Sequence, residues 1–438
     1  MEQPGRQPRW YEGLTSTHWI LLAVASAGWI FDVYEGQLFT IFKTPMLREL
    51  TDGSPGAIDF QANIGLAAFL LGGALGGLCF GILGDRYGRL RIMSATILVY
   101  SVFSALTYFA RTTWQVHLLR FLVALGTGGE WAVAAALVAE TFPTRARAAA
   151  SGLFHASSVI GVGLASVTGL IFVRPDSWRT AFLVGLLPSL LVVWIRASLR
   201  EPRPAIRGAD SARGDEPADR SPATAGHPDQ PGGLAELLGR PLWRSRALLG
   251  LCLAAVGLGT YWGIFAWGPE LAARAIGTEV TVERKQAASS LAYLLMNFSG
   301  GLIGLLSFAP MANRLGRRGA FAVYHVGAGL VAPLTYLGDH GYVPTLCLLS
   351  IMSFFVLGMH AGYAIYFPEL FPTRLRATGA SVCFNMGRVL GAIILVIRGG
   401  LGAQLGMPRA AAGISCLFWV GLILLWFTPE TRGRELPE

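Results

Sequence analysis

The sequence predicts an all-α integral membrane protein in which twelve transmembrane helices form two pseudo-symmetric six-helix bundles. Three observations carry that expectation. The 438 residues are 53% hydrophobic and only 14% charged, where a soluble chain carries about 25% charge. Apolar stretches of roughly 20 residues recur along the chain, each long enough to cross a hydrocarbon core of about 30 Å. Finally, two unrelated motifs are written twice at one spacing. Glu140-Thr141-Phe142-Pro143-Thr144-Arg145-Ala146-Arg147 returns 229 residues later as Glu369-Leu370-Phe371-Pro372-Thr373-Arg374-Leu375-Arg376. Gly84-Asp85-Arg86-Tyr87-Gly88-Arg89 is answered 228 residues later by Ala312-Asn313-Arg314-Leu315-Gly316-Arg317. Motifs repeating in step mean a duplicated polytopic unit, the architecture that places a substrate site on the axis between two rocking bundles.

In chain order the spans are expected at about 17–42, 58–83, 91–110, 114–140, 148–173 and 178–198, then 245–269, 286–311, 319–338, 343–368, 377–402 and 408–428. Glycine tracts such as Gly72-Gly73-Ala74-Leu75-Gly76-Gly77 and Gly300-Gly301-Leu302-Ile303-Gly304 suit helices that touch through small residues. The stretch between the sixes is different material. Arg207 to Gly233 is rich in Pro, Gly, Asp, Ala and Arg and poor in large apolar residues, which reads as a flexible linker. The expected division is an N-terminal bundle over 1–200, a cytoplasmic linker over 201–243 and a C-terminal bundle over 244–438.

Arginines fill the short loops after spans 2, 4, 8 and 10, which places those loops and both termini in the cytoplasm. The net charge of +9 then reflects topology and contact with the lipid bilayer, and nucleic acid is not an expected partner. Lys43 and Lys285 are the lysines among 35 basic residues, a bias that fits a GC-rich bacterial genome and hence an inner membrane. No cleavable signal is expected before the first span. The five cysteines lie in apolar spans without short spacings and read as buried packing residues, with no disulfide, metal site or cofactor implied.

The repeated loops have a physical reading of their own. Gly84 and Gly88 permit a tight turn. Asp85 can accept from the free N–H groups at the start of a neighbouring helix. Arg86 and Arg89 can pair with Glu140 beneath one bundle, and Arg314 and Arg317 with Glu369 beneath the other. With Arg145 and Arg374 these residues form an expected conformational latch, held in one state and broken in another. Asn313 stands where the first loop has Asp85, so the second half should latch more weakly.

Charges inside the bilayer are costly unless paired or hydrated, and so are functional candidates by default. Asp32 and Glu35 lie three apart on one face of span 1, Arg120 lies in span 4 and Arg388 in span 11. Ser381, Asn385 and Arg388 form one polar stripe. The position equivalent to Arg388 in the first half is Val159, so the arginine is not shared by the repeat. A guanidinium suits a carboxylate through paired N–H bonds, which makes Arg388 the sharpest sign of an organic anion. Asn385, His155, Tyr261, Trp262, Asn297, His360 and Tyr363 are further substrate-binding candidates that could line a cavity. An enzyme would need a catalytic constellation near one membrane face. Neither a histidine–aspartate pair nor metal-ligand spacing is present, and the expectation is a non-enzyme.

Gly84 to Arg91, with Arg120 followed by Gly126-Thr127-Gly128-Gly129-Glu130, resembles the loop and fourth-helix signatures of the major facilitator superfamily. Pro429-Glu430-Thr431-Arg432-Gly433 is similar to the tail of its sugar porters and metabolite:proton symporters. Gly128-Gly129-Glu130-Trp131 with Ala139-Glu140-Thr141-Phe142-Pro143 resembles the metabolite branch, which includes sialate and aromatic-acid symporters and organic-ion transporters. The resemblance implies the major facilitator fold, a monomer, and proton coupling through a span-1 aspartate paired with the span-4 arginine, here Asp32 and Arg120. Glu35, one turn along the same face, reads either as a second proton carrier or as a residue of the outer vestibule. Drug antiporters carry a Gly-Pro run in span 5 that Ser157-Ser158-Val159-Ile160-Gly161-Val162-Gly163 lacks, which favours uptake. The expected function is proton symport of a small organic anion, monocarboxylate, aromatic acid or sialate-like. The alternative is a proton-coupled exporter or facilitator of drugs, organic cations or sugars.

Overall fold

A continuous apolar helix of 51 residues, Ala287–Leu337, would be about 77 Å long, more than twice the hydrocarbon core. It is two spans. The chain bends at Gly316, whose φ of 81° and ψ of 169° no helix contains. The computed structural model describes residues 9–172, 177–198, 233–277 and 279–437. Among them are eleven helices long and apolar enough to cross a membrane, and the break at Gly316 makes twelve crossings. No strand occurs among the described residues. The first half supplies span 1 (Ser16–Leu50), span 2 (Pro55–Tyr87), span 3 (Arg89–Leu106), span 4 (Thr113–Thr141), span 5 (Thr144–Ala156 and Ser158–Ile171) and span 6 (Trp178–Leu183 and Ser189–Ser198). The second supplies span 7 (Pro241–Gly263), span 8 (282–315), span 9 (317–337), span 10 (Tyr342–Glu369), span 11 (Arg376–Leu405) and span 12 (Met407–Ser415 and Leu417–Phe427).

Local chemistry sets the ends. The Ser54 hydroxyl accepts from the Ala57 N–H, with Pro55 as the first helical residue of span 2. Thr112 and Gln115 form a capping box for span 4. Span 1 runs to Leu50, eight residues past its expected end, so the apolar stretch marks the bilayer and the helix continues beyond it. Residues 201–232 of the expected linker lie outside the described residues. Its last part is helical instead: Leu234–Gly239 forms a turn and a half, and Glu236 there pairs with Arg374 at 3.1 Å.

The duplication is structural. Gly88 and Gly316, the turn glycines of the two loops, both have positive φ, 102° and 81°. Arg89 meets Glu140 at 2.9 Å, and Arg317 meets Glu369 at 2.8 Å. Arg147 donates from Nε to the Ala139 carbonyl at 2.9 Å, and Arg376 from Nε to the Pro368 carbonyl at 3.2 Å. These two pairs of bonds are matched between the halves at the sequence offset.

Span 2 is shared by both halves. Gly72 and Gly76 lie against the backbone of span 4 at Phe121 and Leu125, while Gly73, Gly77 and Gly81 face Arg388, Asn385 and Ser381 of span 11. Three glycines at four-residue spacing therefore meet the polar stripe rung for rung. Span 5 also crosses to the second half, against spans 8 and 10, and span 4 crosses against spans 10 and 11. The outer surface is apolar, with Trp426 81% and Phe427 66% exposed, as lipid contact requires. The cysteine expectation is corrected here. Cys383 is buried, but Cys79, Cys347 and Cys416 lie on that exposed surface, because apolar spans face lipid as often as core.

Candidate functional site

A column of buried charge runs through the first half. On span 1, Gly28, Asp32 and Glu35 share one face, and on span 4 Arg120, Thr127 and Glu130 do. Counted along the two helices from the face that bears the repeated loops, Glu130 and Gly28 lie at about 16–18 Å. Asp32 and Thr127 lie at about 21–24 Å, and Glu35 and Arg120 at about 28–31 Å. Asp32 is 4% exposed, Glu35 and Glu130 are fully buried, and Arg120 is 2% exposed. The Ser104 hydroxyl donates to Glu35 Oε2. Arg120 Nη1 donates to the Glu35 backbone carbonyl at 3.2 Å, and its guanidinium lies over the rings of Phe39 and Phe69 at 4.8 and 4.3 Å.

The expected pairing of Asp32 with Arg120 is not what the structure shows. Arg120 goes to Glu35, one turn further along span 1. Asp32 lies beside Thr127 and within Coulombic reach of Arg388, from the other half. The reason is register: at the height of Asp32, span 4 presents Thr127, and the nearest cation comes from span 11. Arg388 lies against Gly73 and over the Phe384 ring at 5.6 Å. Its Nη1 and the Asp32 Oδ2 each lack a hydrogen-bond partner. Asn385, fully buried, donates to the Gly128 carbonyl at 3.1 Å and to Ser381 Oγ at 3.2 Å, while its Oδ1 stays unpartnered.

The softer candidates divide. His155 is stacked on Trp29 with ring centres 5.2 Å apart and accepts from Trp131 Nε1 at 3.2 Å, a bond that assigns the proton of a neutral ring to Nε2. Trp131 in turn stacks on Phe384 at 4.0 Å. His155 thus sets an aromatic contact between halves beside Arg388. Across the seam, Tyr261 packs edge-on to His360 at 5.5 Å and to Trp262 at 5.2 Å. His360 holds the Val356 carbonyl at 2.9 Å and leaves Nε2 unpartnered. Tyr363 is turned away: its hydroxyl donates to the Leu253 carbonyl at 3.1 Å and its ring stacks on Phe367. Asn297 donates to the Tyr293 carbonyl at 2.9 Å within the π-helical turn Met296–Gly301, and the Tyr293 hydroxyl crosses to Gln37 of span 1 at 3.2 Å.

Most of the residues expected to form a latch meet on the loop-bearing face. Asp85 accepts from the Ala377 and Thr378 N–H groups at 3.1 and 2.7 Å, at the start of span 11, and pairs with Arg89 at 2.5 Å. Arg89 also donates to the Thr373 carbonyl at 2.9 Å. Glu140 joins both halves by pairing with Arg376 at 3.1 Å. Sequence reasoning missed Arg376 and Thr378, although Arg376 stands inside the repeated motif. Three expected members do otherwise. Arg86 lies over the ring of its neighbour Tyr87, Arg145 donates to the Glu12 carbonyl, and Arg314 lends its carbonyl to Arg432 at 2.8 Å. In the second half Glu430 accepts from the Arg317 and Arg318 N–H groups at 2.9 and 3.1 Å. Asn313 does not cap across the seam as Asp85 does. Its Oδ1 receives Arg317 from its own half at 3.3 Å.

The comparisons agree with this architecture. The chain is 32% identical over 420 residues to a probable 4-methylmuconolactone transporter of Cupriavidus pinatubonensis, covering 93% of this chain and 89% of that one. It is 27% identical over 421 residues to the sialic acid transporter NanX of Escherichia coli, covering 95% of each. Among solved structures, the proton:xylose symporter XylE has the same fold, with a TM-score of 0.76 at 16% identity over 96% of this chain and 98% of that one. These relatives are multi-pass membrane transporters, so the chain is a transporter and not an enzyme. The model of the Major Facilitator Superfamily matches residues 19–396, and the chain belongs to that family.

Proposed function

We propose that the protein imports a small organic anion together with a proton by alternating access, with the loop-bearing face and both termini in the cytoplasm. One observation carries the reading: Arg388, on the seam between halves, has an unpartnered Nη1 while facing an Asp32 whose Oδ2 is also unpartnered. A substrate carboxylate that takes the guanidinium removes the cation from Asp32. A bare carboxylate away from water costs several kcal/mol, and a proton from solvent removes that cost. Anion and proton therefore enter as one neutral set. Asn385 Oδ1, one turn along, offers an acceptor for a hydroxyl or N–H of the same substrate. The relatives support the class, since one is named for a lactone metabolite and the other for sialic acid. At the far end of the column Arg120 holds the Glu35 backbone carbonyl and lies within Coulombic reach of its carboxyl, a second place where charge could be carried.

The test is reconstitution in proteoliposomes with a pH-sensitive dye, adding benzoate, sialic acid, xylose and benzylamine. Internal acidification with an acid, lost in Asp32→Asn, together with anion binding weakened more than tenfold in Arg388→Ala, is the expected result. A response to benzylamine alone, with protons moving the other way, would establish the exporter reading in its place.

A further inference from the structure

Glu130 takes no part in the scheme above, and its surroundings are unusual. It is fully buried, and neither carboxyl oxygen has a hydrogen-bond partner. Span 1 makes room for it with Gly28, where any Cβ would collide with Oε1. A packing role would be served by a methyl-bearing side chain. An unpartnered carboxyl in a glycine notch is a poor way to fill space and a good way to hold a proton. Beside it, on span 3, is the Tyr100 hydroxyl, also fully buried and unpartnered. Tyr100 lies within Coulombic reach of Glu130, Asp32 and Glu35.

We propose that Glu130 is a second proton site, reached from Asp32 through the Tyr100 hydroxyl, on the loop-bearing side of the substrate seam. This rests on the symport reading given above. The step is a balanced relay. Glu130 first releases its proton to water on the loop-bearing side when that face opens. Asp32 then gives its proton to the Tyr100 oxygen, the Tyr100 O–H proton passes to the Glu130 carboxylate so formed, and Asp32 is left ionised. That restores its attraction for Arg388 and expels the substrate carboxylate from the guanidinium. The other ionisable side chains of the column are engaged elsewhere: His155 of span 5 accepts from Trp131, Arg388 of span 11 faces Asp32, and Arg120 holds the Glu35 backbone carbonyl. The proton thus leaves through the first half while the anion leaves between the halves.

Two measurements test this on the full-length protein. The first needs no substrate: infrared difference spectra across a pH titration should contain a protonated-carboxyl band that Glu130→Gln removes and Asp32→Asn retains. Absence of any band specific to Glu130 overturns the proposal. The second uses proteoliposomes and whichever of benzoate or sialic acid acidifies the wild-type lumen. Glu130→Gln should keep substrate exchange at equal pH within about twofold, since exchange moves no net proton, and should lose pH-driven accumulation more than tenfold. Glu130→Asp should restore part of it, and Tyr100→Phe should slow accumulation with exchange intact. Full pH-driven accumulation in Glu130→Gln would overturn the proposal, as would parallel loss of exchange and accumulation without recovery in Glu130→Asp. If neither acid moves protons in the wild type, the symport reading fails and the infrared band alone decides whether Glu130 carries a proton.

Discussion

Arg388 illustrates what a single residue can and cannot announce. Its presence in an apolar span was a signal in itself, because a guanidinium in hydrocarbon needs a reason. Its partner was not readable from spacing. Asp32 lies 356 residues away in the sequence, and only the register of spans 1 and 11 brings them together. The same register explains why Arg120 binds the Glu35 carbonyl instead of Asp32. Gly73 supplies a prediction at this scale. A Cβ there would land on Arg388 Nη1, so Gly73→Ala should displace the guanidinium without removing its charge. Anion binding should weaken by about tenfold, or roughly 1.4 kcal/mol, with the thermal midpoint of the protein little changed. Equilibrium binding of labelled benzoate or sialic acid checks it, and an unchanged affinity would take Arg388 out of the site.

The loop between spans 8 and 9 shows how an element is tied down. Gly316 turns the chain with positive φ, and the Glu430 carboxylate, past the last span, receives the backbone N–H groups of Arg317, Arg318, Thr431 and Arg432. Burial pushes the Glu430 carboxyl up, but these four N–H donors outweigh it and hold it below its ordinary value of 4.5. A depressed carboxyl adds stability that is present above the unfolded value and is lost as pH falls through the folded one. Thermal stability in detergent should therefore drop on acidification below about pH 4.5, and Glu430→Gln should flatten that part of the profile. Gly316→Ala attacks the same element from the other side. It forces a left-handed backbone on alanine, a cost of about 1–2 kcal/mol, and its Cβ would meet Glu430 Oε2 at 2.5 Å. A thermal midpoint equal to that of the wild type would show that the tail is not fastened there.

At the scale of the whole molecule, the contacts across the two halves on the loop-bearing face converge on the start of span 11. Asp85 accepts from its first N–H groups, and Glu140 takes Arg376. The free end of a helix is an electropositive place, and a carboxylate there contributes about 0.3–2 kcal/mol. Asp85→Asn keeps the shape and removes the charge. It should shift the halves toward opening on this face and slow turnover by roughly 3–30-fold, as 0.7–2 kcal/mol of bias implies. Substrate affinity should stay within about twofold. Equal loss of affinity and turnover would mean that Asp85 supports the site itself and not the latch.

Much of this was written in the chain. Hydrophobic length set the spans, because a bilayer admits only helices that satisfy their own backbone, and the 228–229-residue repeat set two halves. Arg89 with Glu140 and Arg317 with Glu369 could be named from the motif, since a duplicated loop keeps its partner at a fixed distance in sequence. What the sequence left open is everything that depends on how helices sit side by side. Which cation faces Asp32, that Tyr363 turns into the packing of its own half, that His155 is spent on Trp131, and that Glu130 is left without a partner are matters of height and rotation. Apolar helices carry little periodic signal to fix those, because lipid and protein interior are alike in polarity. Only the close approach of the helices, spans 1, 2, 4 and 11 at the seam and spans 5, 7 and 10 beside it, decided them.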